Sequence, residues 1–353
     1  MKIAIIIPGQ TIYLPYIDMY KNILAENEIE YIIISWDRNN DQKEYDEFTY
    51  LLYSPFHKTS LKRYIDYIKY SKFIKDVINK EHIDFLIVCT IAPSFFLYNT
   101  LKNRFREKYI IDIRDYSPLA NVFKKTLKSL LRNSALNIIS SSGFLTWLPQ
   151  NTNYQICHNL PISKSITKNE FYWNKNEPII ILSIGYFQNY ESAKLIVDKL
   201  GNDERFLLKF AGKGEALDRI MLYCVNEIIK NIEMYGEFTK EDEDEIYQSA
   251  HIVNIYNLDD IGFKTLITNK FYRSVINNVP MLTRENTLQG QYATQFNIGL
   301  SVDNNEVNFG DKIIEYLSNL DRKEFYFSCV RYFETIVAEQ NRLVQILERV
   351  FKN

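Results

Sequence analysis

The sequence predicts an α/β protein with two doubly wound domains of the Rossmann type. Three observations support this. Strand patterns and helix patterns alternate twice along the chain, a polar stretch at residues 160–178 interrupts the alternation, and 353 residues are too many for one ordinary core. We therefore expect one domain at residues 1–165 and a second at residues 175–332.

The front half alternates short β-branched runs with periodic helical segments. Its predicted elements are a strand at 2–7, a helix at 16–25, a strand at 31–35, a helix at about 61–79, strands at 85–89 and 109–113, a helix at about 122–132 and a strand at 136–140. Repeated strand-helix order implies a parallel sheet with right-handed crossovers.

The back half repeats the pattern. Its predicted strands are 179–184, 206–211, 251–256, 280–283 and 299–302, with helical stretches between them. The last helix, at about 324–351, is longer than the second domain needs to cover its sheet. Because ligands of doubly wound sheets bind at the carboxyl ends of the strands, residues just after each strand are the first candidates for a site.

Composition excludes several classes of protein. The four cysteines form no C-x-x-C pair and the four histidines are scattered, which argues against a disulfide framework and a structural zinc site. The apolar run at the start is broken by Pro8-Gly9, as expected of a buried strand rather than a secretion signal. The longest apolar stretch, 85–98, is shorter than the roughly 20 residues that span a bilayer. We expect a cytoplasmic protein.

Charge is distributed unevenly. Residues 57–132 hold 16 Lys and Arg against 7 Asp and Glu. Residues 166–353 instead hold 21 Lys and Arg against 28 Asp and Glu. The basic residues fit either ordinary solvated helices or docking on anionic lipid at the inner face of the cell membrane. They are Lys62, Arg63, Lys69, Lys72, Lys75, Lys124, Lys128 and Arg132. No recognised RNA- or DNA-binding motif accompanies them, so we do not expect a nucleic-acid partner.

Residues 264–284 are the most informative stretch. A helical pattern opens at Asn269-Lys270, ends at Asn277-Asn278, and is followed by a short buried strand at Pro280. This order resembles the donor-binding segment of family-four glycosyltransferases with the GT-B fold, of the bacterial surface-polysaccharide type. Their usual pattern is Asn-Lys-aromatic-x-Glu, a few helical residues, Gly-x-Pro and a strand. Here Arg273 stands where the Glu is expected, and Asn278 where the Gly is expected.

The resemblance implies a fold and an activity. Two Rossmann-like domains would face each other across a cleft, and the terminal helix, at about 333–353, would return to the first domain. The implied reaction transfers a sugar, with retention of anomeric configuration, from a UDP- or GDP-sugar to a lipid-linked or oligosaccharide acceptor in capsule, O-antigen or exopolysaccharide synthesis. No bound cofactor and no metal are implied.

Other loops of the second domain resemble the family's donor side. Gly185 and Tyr186 end its first strand, although the Arg and Lys that often follow in the family are absent. Gly212, Lys213 and Gly214 match the family's Gly-x-Gly, which taken alone is better explained as a plain strand-to-helix turn. Glu237 and Phe238 lie in the loop that the family places against the base.

Two cations open the predicted helix of the informative stretch. Lys270 and Arg273 are three residues apart, near free backbone N–H groups that favour a phosphate, so we expect both to hold the diphosphate and to stabilise it as it leaves. The alternative is a solvated basic turn. Lys264, Asn269, Phe271 and Ser274 are further donor-side candidates.

The acidic triplet Asp242-Glu243-Asp244 formally matches an Asp-x-Asp metal motif. Because acidic residues in a first helical turn are favourable without a metal, we interpret it as a helix start.

The first domain offers acceptor-side candidates at its predicted strand ends. Asp112-Ile113-Arg114-Asp115 resembles the Asp-x-Arg-Asp of related polysaccharide transferases, and is equally well explained as a structural ion-pair knot. Asp115, beyond the strand, is our catalytic candidate on this side. The remaining acceptor-side candidates are Gly9, Gln10, Thr90, Arg114 and His158.

Two alternatives stay open. One is a non-catalytic GT-B protein that binds a glycan or assists a partner transferase, suggested by the missing Glu and the missing Arg and Lys. The other is an epimerase that acts on the nucleotide sugar itself.

Overall fold

The computed structural model describes residues 1–11, 14, 16–38, 45–54, 60–150, 152–159 and 165–352. The chain divides into two compact units. Unit 1 comprises Met1–Pro161 and Ala338–Asn353, and unit 2 comprises Ile162–Val337. Residues 160–164 of the predicted linker lie outside the described residues.

Unit 1 is built on a seven-stranded parallel sheet of order β3-β2-β1-β4-β5-β6-β7. Its strands are β1 Lys2–Ile6, β2 Glu30–Asp37, β3 Phe48–Leu51, β4 Phe85–Cys89, β5 Tyr109–Ile113, β6 Leu136–Ile139 and β7 Tyr154–Ile156. Its helices are α1 Tyr16–Glu26, α2 Ser60–Lys80, α3 Ile91–Phe96, α4 Tyr98–Asn103, α5 Leu119–Val122 and α6 Lys124–Arg132, with a 3-10 turn at Ser142–Thr146.

Unit 2 is built on a six-stranded parallel sheet of order β10-β9-β8-β11-β12-β13. Its strands are β8 Ile179–Tyr186, β9 Phe206–Lys213, β10 Ile232–Gly236, β11 Ile252–Asn254, β12 Met281–Arg284 and β13 Gly299–Val302. The helices that follow unit 1 in the chain are α7 Tyr190–Leu200, α8 Glu215–Asn226, α9 Glu243–Gln248, α10 Ile261–Thr265, α11 Asn269–Ile276, α12 Leu288–Gln295, α13 Phe309–Ser318 and α14 Arg322–Lys352.

The central strands are buried on both faces, which is why they read as continuous apolar runs. In unit 1, Ile3, Ile5 and Ile87 pack in one core with α1. The end of α14 belongs to the same core, where Phe351 meets the ring of Phe85 at 5.8 Å between centroids.

Both sheets reverse their winding at a defined point. In unit 1 the chain winds outward from β1 in one direction and from β4 in the other; in unit 2 the corresponding pair is β8 and β11. Ligands of open parallel sheets bind at the carboxyl ends of the strands beside this reversal. We therefore expect a binding site in the loops after β1, β4, β8 and β11.

The predicted fold class, α/β with two doubly wound domains, is confirmed. Some elements were predicted wrongly. The strands β3, β7 and β10 were missed, and the predicted helix at 122–132 is interrupted at Phe123, whose backbone leaves the helical region with φ −114° and ψ 43°. Among the described residues, no helix combines the length and apolarity needed to cross a membrane.

Candidate functional site

Three glycines hold the loops after β8 and β9 of unit 2 against each other. Gly185, Gly212 and Gly214 have φ of +113°, +136° and +134°, values that side chains rarely allow. A Cβ on Gly212 would lie 1.9 Å from the carbonyl oxygen of Gly185, and one on Gly214 would lie 2.4 Å from that of Phe187. Glycine is therefore required at both places for the two strand ends to approach so closely.

Lys270 crosses the end of β8 at the reversal point of the sheet. It is the second residue of α11, which Thr268 caps by accepting a hydrogen bond from the backbone N–H of Phe271. Its Cε lies 3.5 Å from where a Cβ on Gly185 would stand, and its Nζ lies 5.6 Å from the centre of the Phe187 ring. The stem of the lysine thus lies between a glycine backbone and an aromatic face.

No carboxylate of the described residues compensates the charge of the Lys270 ammonium group. None of the described carboxylates lies within ion-pair distance of it, and burial lowers its pKa from 10.5 to about 8. An uncompensated cation beside a glycine-rich strand end is the electrostatic arrangement that favours an anion such as a phosphate.

Arg273 has a different environment. Its Nη2 lies 2.9 Å from Glu243 Oε2 and its Nη1 lies 3.3 Å from Asp244 Oδ1, and only 13% of its side chain is exposed. Asn277 Nδ2 also donates to Asp244 Oδ1 at 2.9 Å. Arg273 therefore joins α11 to the start of α9, and its charge is balanced by two carboxylates.

The other predicted donor-side residues of α11 differ in how far they are buried. Phe271 and Ser274 have no exposed surface, and the Phe271 ring packs 5.7 Å from that of Tyr332. They therefore support α11 from the core side. Asn269 is exposed at the start of the helix.

The neighbouring loops contribute two ion pairs. Lys213, after Gly212, pairs with Glu237 across adjacent strand ends at 2.9 Å, and both side chains are exposed. Lys264 of α10 pairs with Asp259, which also lies 3.4 Å from Arg284 at the end of β12. Tyr186 is 65% exposed beside Gly185, and Phe238 is half-buried after β10.

In unit 1, Arg114 lies in a buried polar knot. Its Nη2 donates to Asp112 Oδ2 at 2.6 Å, and its Nη1 donates to Asn159 Oδ1 at 2.8 Å. The guanidinium lies 3.7 Å above the ring of Tyr16, and Tyr20 donates to the same carboxylate oxygen of Asp112 at 2.7 Å. These contacts favour the structural alternative for Arg114. Asp115, the next residue, is exposed beyond the strand.

The strand ends at the reversal point of unit 1 carry Gly9, Gln10 and Thr90. Gln10 is buried and donates to Asp37 at 3.0 Å, whereas the space around Gly9 is open. Thr90 has φ +71° and ψ 163°, which is strained for a β-branched residue, while its N–H donates to the carbonyl of Asp112 at 2.7 Å. Backbone strain at the reversal point supports the expectation that this edge has a functional role.

His158 is buried against the part of α14 that belongs to unit 1. Its Nε2 lies 2.8 Å from Glu339 Oε2, and its backbone N–H donates to Gln340 Oε1 at 2.9 Å. The hydrogen bond from His158 lowers the pKa of Glu339. These contacts attach the part of α14 from Ala338 onward to the rest of unit 1.

Within the part of the chain that the structure describes, no group of three or more His, Cys, Asp and Glu side chains is arranged to hold a metal ion. Asp242, the first acid of the triplet, accepts from the hydroxyl of Thr239 at 2.8 Å just before α9.

Comparison with known proteins identifies the fold. No protein-family model matches the chain, and no curated protein matches it by sequence. Among solved structures, a glycosyltransferase from Rickettsia africae is similar over 100% of this chain and 99% of its own, with a TM-score of 0.69 and 14% identity. Anabaena HepE in complex with UDP is similar over 99% of this chain and 100% of its own, with a TM-score of 0.65 and 9% identity.

A third similar structure is that of a protein with a different named activity. A putative UDP-N-acetylglucosamine 2-epimerase from Listeria monocytogenes matches over 99% of this chain and 96% of its own, with a TM-score of 0.61 and 11% identity. Together with the two parallel sheets, these likenesses establish the GT-B fold that the sequence predicted.

Sequence reasoning missed the partners of its two best candidates. Phe187, which lies against the Lys270 ammonium, comes two residues after the glycine of β8 and is not among the predicted site residues. Glu243 and Asp244, which balance Arg273, were interpreted as a helix start alone. Since these partners are far apart in the chain, no local pattern could have connected them.

Proposed function

We propose that the protein is a glycosyltransferase that binds a UDP- or GDP-sugar in unit 2 and transfers the sugar to a hydroxyl of a lipid-linked or oligosaccharide acceptor. The proposed setting is the synthesis of a bacterial surface polysaccharide, at the cytoplasmic face of the membrane and with retention of configuration. Support comes from the GT-B fold and from the likeness to a named glycosyltransferase and to a protein solved with UDP.

The observation that carries the proposal is the uncompensated charge of Lys270. A cation that is held at the reversal point of a doubly wound sheet, without a carboxylate among the described residues, loses solvation that the face of the Phe187 ring replaces only in part until an anion arrives. The diphosphate of a nucleotide sugar supplies that anion. As the bond to the sugar breaks, negative charge grows on the diphosphate, and a fixed cation stabilises that charge.

We assign different roles to the remaining predicted catalytic residues. Arg273, with its charge balanced by Glu243 and Asp244, acts as a positioning residue for α11. Asp115 is our candidate for the acceptor-side carboxylate, because it follows β5 and its neighbour Arg114 is already occupied in the knot.

Calorimetric titration with a panel of UDP- and GDP-sugars tests donor binding. We expect at least one donor to bind to the wild-type protein, and Lys270→Met to weaken that binding at least tenfold. Lys230→Met, at an exposed position of the same unit, is the matched control and should leave binding unchanged. If no nucleotide sugar binds or stabilises the wild-type protein, the proposal fails, and the non-catalytic alternative is then favoured.

An epimerase acting on the nucleotide sugar is the second candidate, supported by the likeness to the putative epimerase. Incubation of a bound donor without any acceptor distinguishes the two. A transferase leaves the sugar configuration unchanged or hydrolyses the donor slowly, whereas an epimerase yields a second nucleotide sugar that is separable by chromatography.

A further inference from the structure

Helix α8 of unit 2 carries a stripe of exposed apolar side chains. Met221, Leu222, Val225 and Ile228 are 47%, 62%, 74% and 70% exposed. Their spacing of three and four residues places the first three on one side of α8, and Ile228 continues the stripe two residues beyond the helix. The opposite side, which includes Ile220, is buried in the core of unit 2. We call the four exposed side chains the α8 stripe.

The α8 stripe faces away from the other helices of its layer. Helix α7 packs against both α13 and α8, so α8 is the outermost of the three. On the flank of α8 toward α7, the guanidinium of Arg219 lies 4.0 Å from the centre of the Tyr190 ring. Met221 is two residues further along the chain, which is about 200° around the helix, and so lies on the open flank. The stripe is therefore directed toward the side of unit 2 at which this helix layer ends.

The sheet of unit 2 ends at the same side. Strand β10 is an outer strand and, within the described residues, pairs with β9 alone. The carbonyl oxygen of Asn231 accepts from the N–H of Leu208 of β9 at 2.9 Å. Because the backbone groups of successive residues in a strand point in opposite directions, those of Ile232 and Met234 are directed away from β9. The side chains of these two residues pack against the core that α8 covers, so the open strand edge and the α8 stripe belong to one surface.

We propose that two copies of this chain pair about a two-fold axis at this surface, with β10 antiparallel to β10 and the α8 stripe against the α8 stripe. The distances of the two contacts agree. Neighbouring strands are about 4.8 Å apart, so two helices that each lie over β9 and β10 of their own copy are about 10 Å apart, a distance at which helices pack. A two-fold interface uses the same surface on both copies, and this surface offers each copy one open strand edge and one apolar stripe.

The charges of α8 are compatible with an antiparallel pair of helices. Asp218 lies in line with the stripe in the first turn of α8, and Lys230 follows the stripe at its other end; both are exposed. In the antiparallel arrangement Asp218 of each copy lies near Lys230 of the other. The remaining charged residues of the helix and its end, Glu215, Arg219 and Glu227, lie toward the α7 side. Because an exposed ion pair contributes little, the apolar side chains account for most of the affinity.

The strand edge is compatible with the same axis. At about 1.5 Å per helical residue and about 3.3 Å per strand residue, the centre of the α8 stripe, near Val225, is roughly level with Met234 of β10. With Met234 of both copies on the axis, Glu233 lies opposite Tyr235 of the other copy rather than opposite a second acid. Within its own chain, Glu233 pairs with Lys209 at 3.5 Å. No repulsion between like charges therefore opposes this register.

A second copy accounts for both features of the surface. A lipid surface would cover the apolar side chains but leave the outward N–H and C=O groups of β10 without partners. In the two-fold arrangement the carboxyl edges of the joined sheets point in opposite directions, so the loop at Gly185 stays open in both copies. Dimerisation is therefore independent of donor binding and is tested separately from the proposed function.

Sedimentation velocity of the full chain over a range of concentrations tests the proposal. We expect the wild-type protein to form a dimer that dissociates on dilution. Val225→Glu should weaken dimerisation at least a hundredfold, because two like charges would meet across the axis. The matched control is Val307→Glu, at a side chain of unit 2 that is 92% exposed and distant in sequence from α8 and β10, and it should dimerise as the wild type does.

A mixture of two charged variants identifies the contact of Val225 with itself. Val225→Glu alone and Val225→Lys alone should each be monomeric, whereas their equimolar mixture should form a dimer, because opposite charges then meet at the axis. Deuterium exchange tests the strand edge. The backbone N–H groups of Ile232 and Met234 should exchange slowly at concentrations at which the wild-type protein is dimeric, and rapidly in Val225→Glu.

Circular dichroism and nucleotide-sugar titration of every variant should match the wild type, which separates lost dimerisation from misfolding or lost donor binding. The proposal is overturned if the wild-type protein is monomeric at its highest soluble concentration, or if Val225→Glu dimerises as the wild type does. It is also overturned if the mixture of Val225→Glu and Val225→Lys stays monomeric, or if the N–H groups of Ile232 and Met234 exchange equally fast in monomer and dimer.

Discussion

Replacing Lys270 by Met should stabilise the protein and weaken donor binding at the same time. Met retains the unbranched apolar stem that lies between Gly185 and the Phe187 ring, and removes the charge. Most substitutions destabilise a protein. A gain in stability on removal of a lysine is therefore uncommon, and it would indicate that the charge of that lysine is costly in the folded state.

The size of the expected gain in stability follows from the pKa of Lys270. Burial lowers it from 10.5 to about 8, and each tenfold change in the proton equilibrium corresponds to about 1.4 kcal/mol. Holding the charge at pH 7 therefore costs about 3 kcal/mol. Between pH 8 and 10.5 the unfolded chain binds the proton and the folded protein does not, so the wild-type protein should gain stability over that range as pH rises. Donor affinity should fall over the same range as the ammonium deprotonates.

Urea unfolding at pH 7 and pH 10, together with donor titration, measures both effects. At pH 7 we expect Lys270→Met to raise the free energy of unfolding by about 1 to 3 kcal/mol and to weaken donor binding at least tenfold, with Lys230→Met changing neither. A variant that is destabilised, or that binds donor as the wild type does, would refute the assignment of Lys270 as an uncompensated cation in the donor site.

Substitutions at four further positions test other parts of the structure. Arg273→Met leaves two acids without their counter-ion and should lower the free energy of unfolding by about 2 kcal/mol in urea, the opposite sign to Lys270→Met. Thr90→Gly should raise it by about 1 kcal/mol by releasing the strain at φ +71°, whereas Thr90→Ala, which keeps a Cβ, should not. Burial lowers the pKa of His251 from its usual 6.5 to about 4, so stability should fall by about 3 kcal/mol as pH drops through that range; His251→Asn should flatten this dependence. Gly212→Ala should cost about 4 kcal/mol or prevent folding, as monitored by circular dichroism, because its Cβ would lie 1.9 Å from a carbonyl oxygen.

The sequence predicted the central strands because both of their faces are buried. The strands Phe85–Cys89 and Tyr109–Ile113 were predicted to the residue, since a strand between two layers of helix consists of consecutive apolar residues. The three missed strands, β3, β7 and β10, all lie at edges of their sheets and are partly exposed. These three edge strands lack the continuous apolar run, so neither their length nor their composition distinguishes them from loops.

The candidate site could be predicted only in part for a related reason. The position of Lys270 at the start of a helix followed from the local pattern, and α11 has the predicted bounds. None of the described carboxylates pairs with Lys270, and the pairing of Arg273 with Glu243 and Asp244 depends on α9, which is about thirty residues earlier in the chain. Two cations that look equivalent in sequence thus have opposite electrostatic environments in the folded protein.

A crystal structure with a bound UDP- or GDP-sugar would show directly whether Lys270 holds the diphosphate of the donor. We expect a diphosphate oxygen about 3 Å from Lys270 Nζ, beside the backbone of Gly185, with Arg273 still paired to Glu243 and Asp244. A nucleotide whose phosphates lie away from Lys270, or a Lys270 that pairs with a carboxylate in the complex, would contradict it.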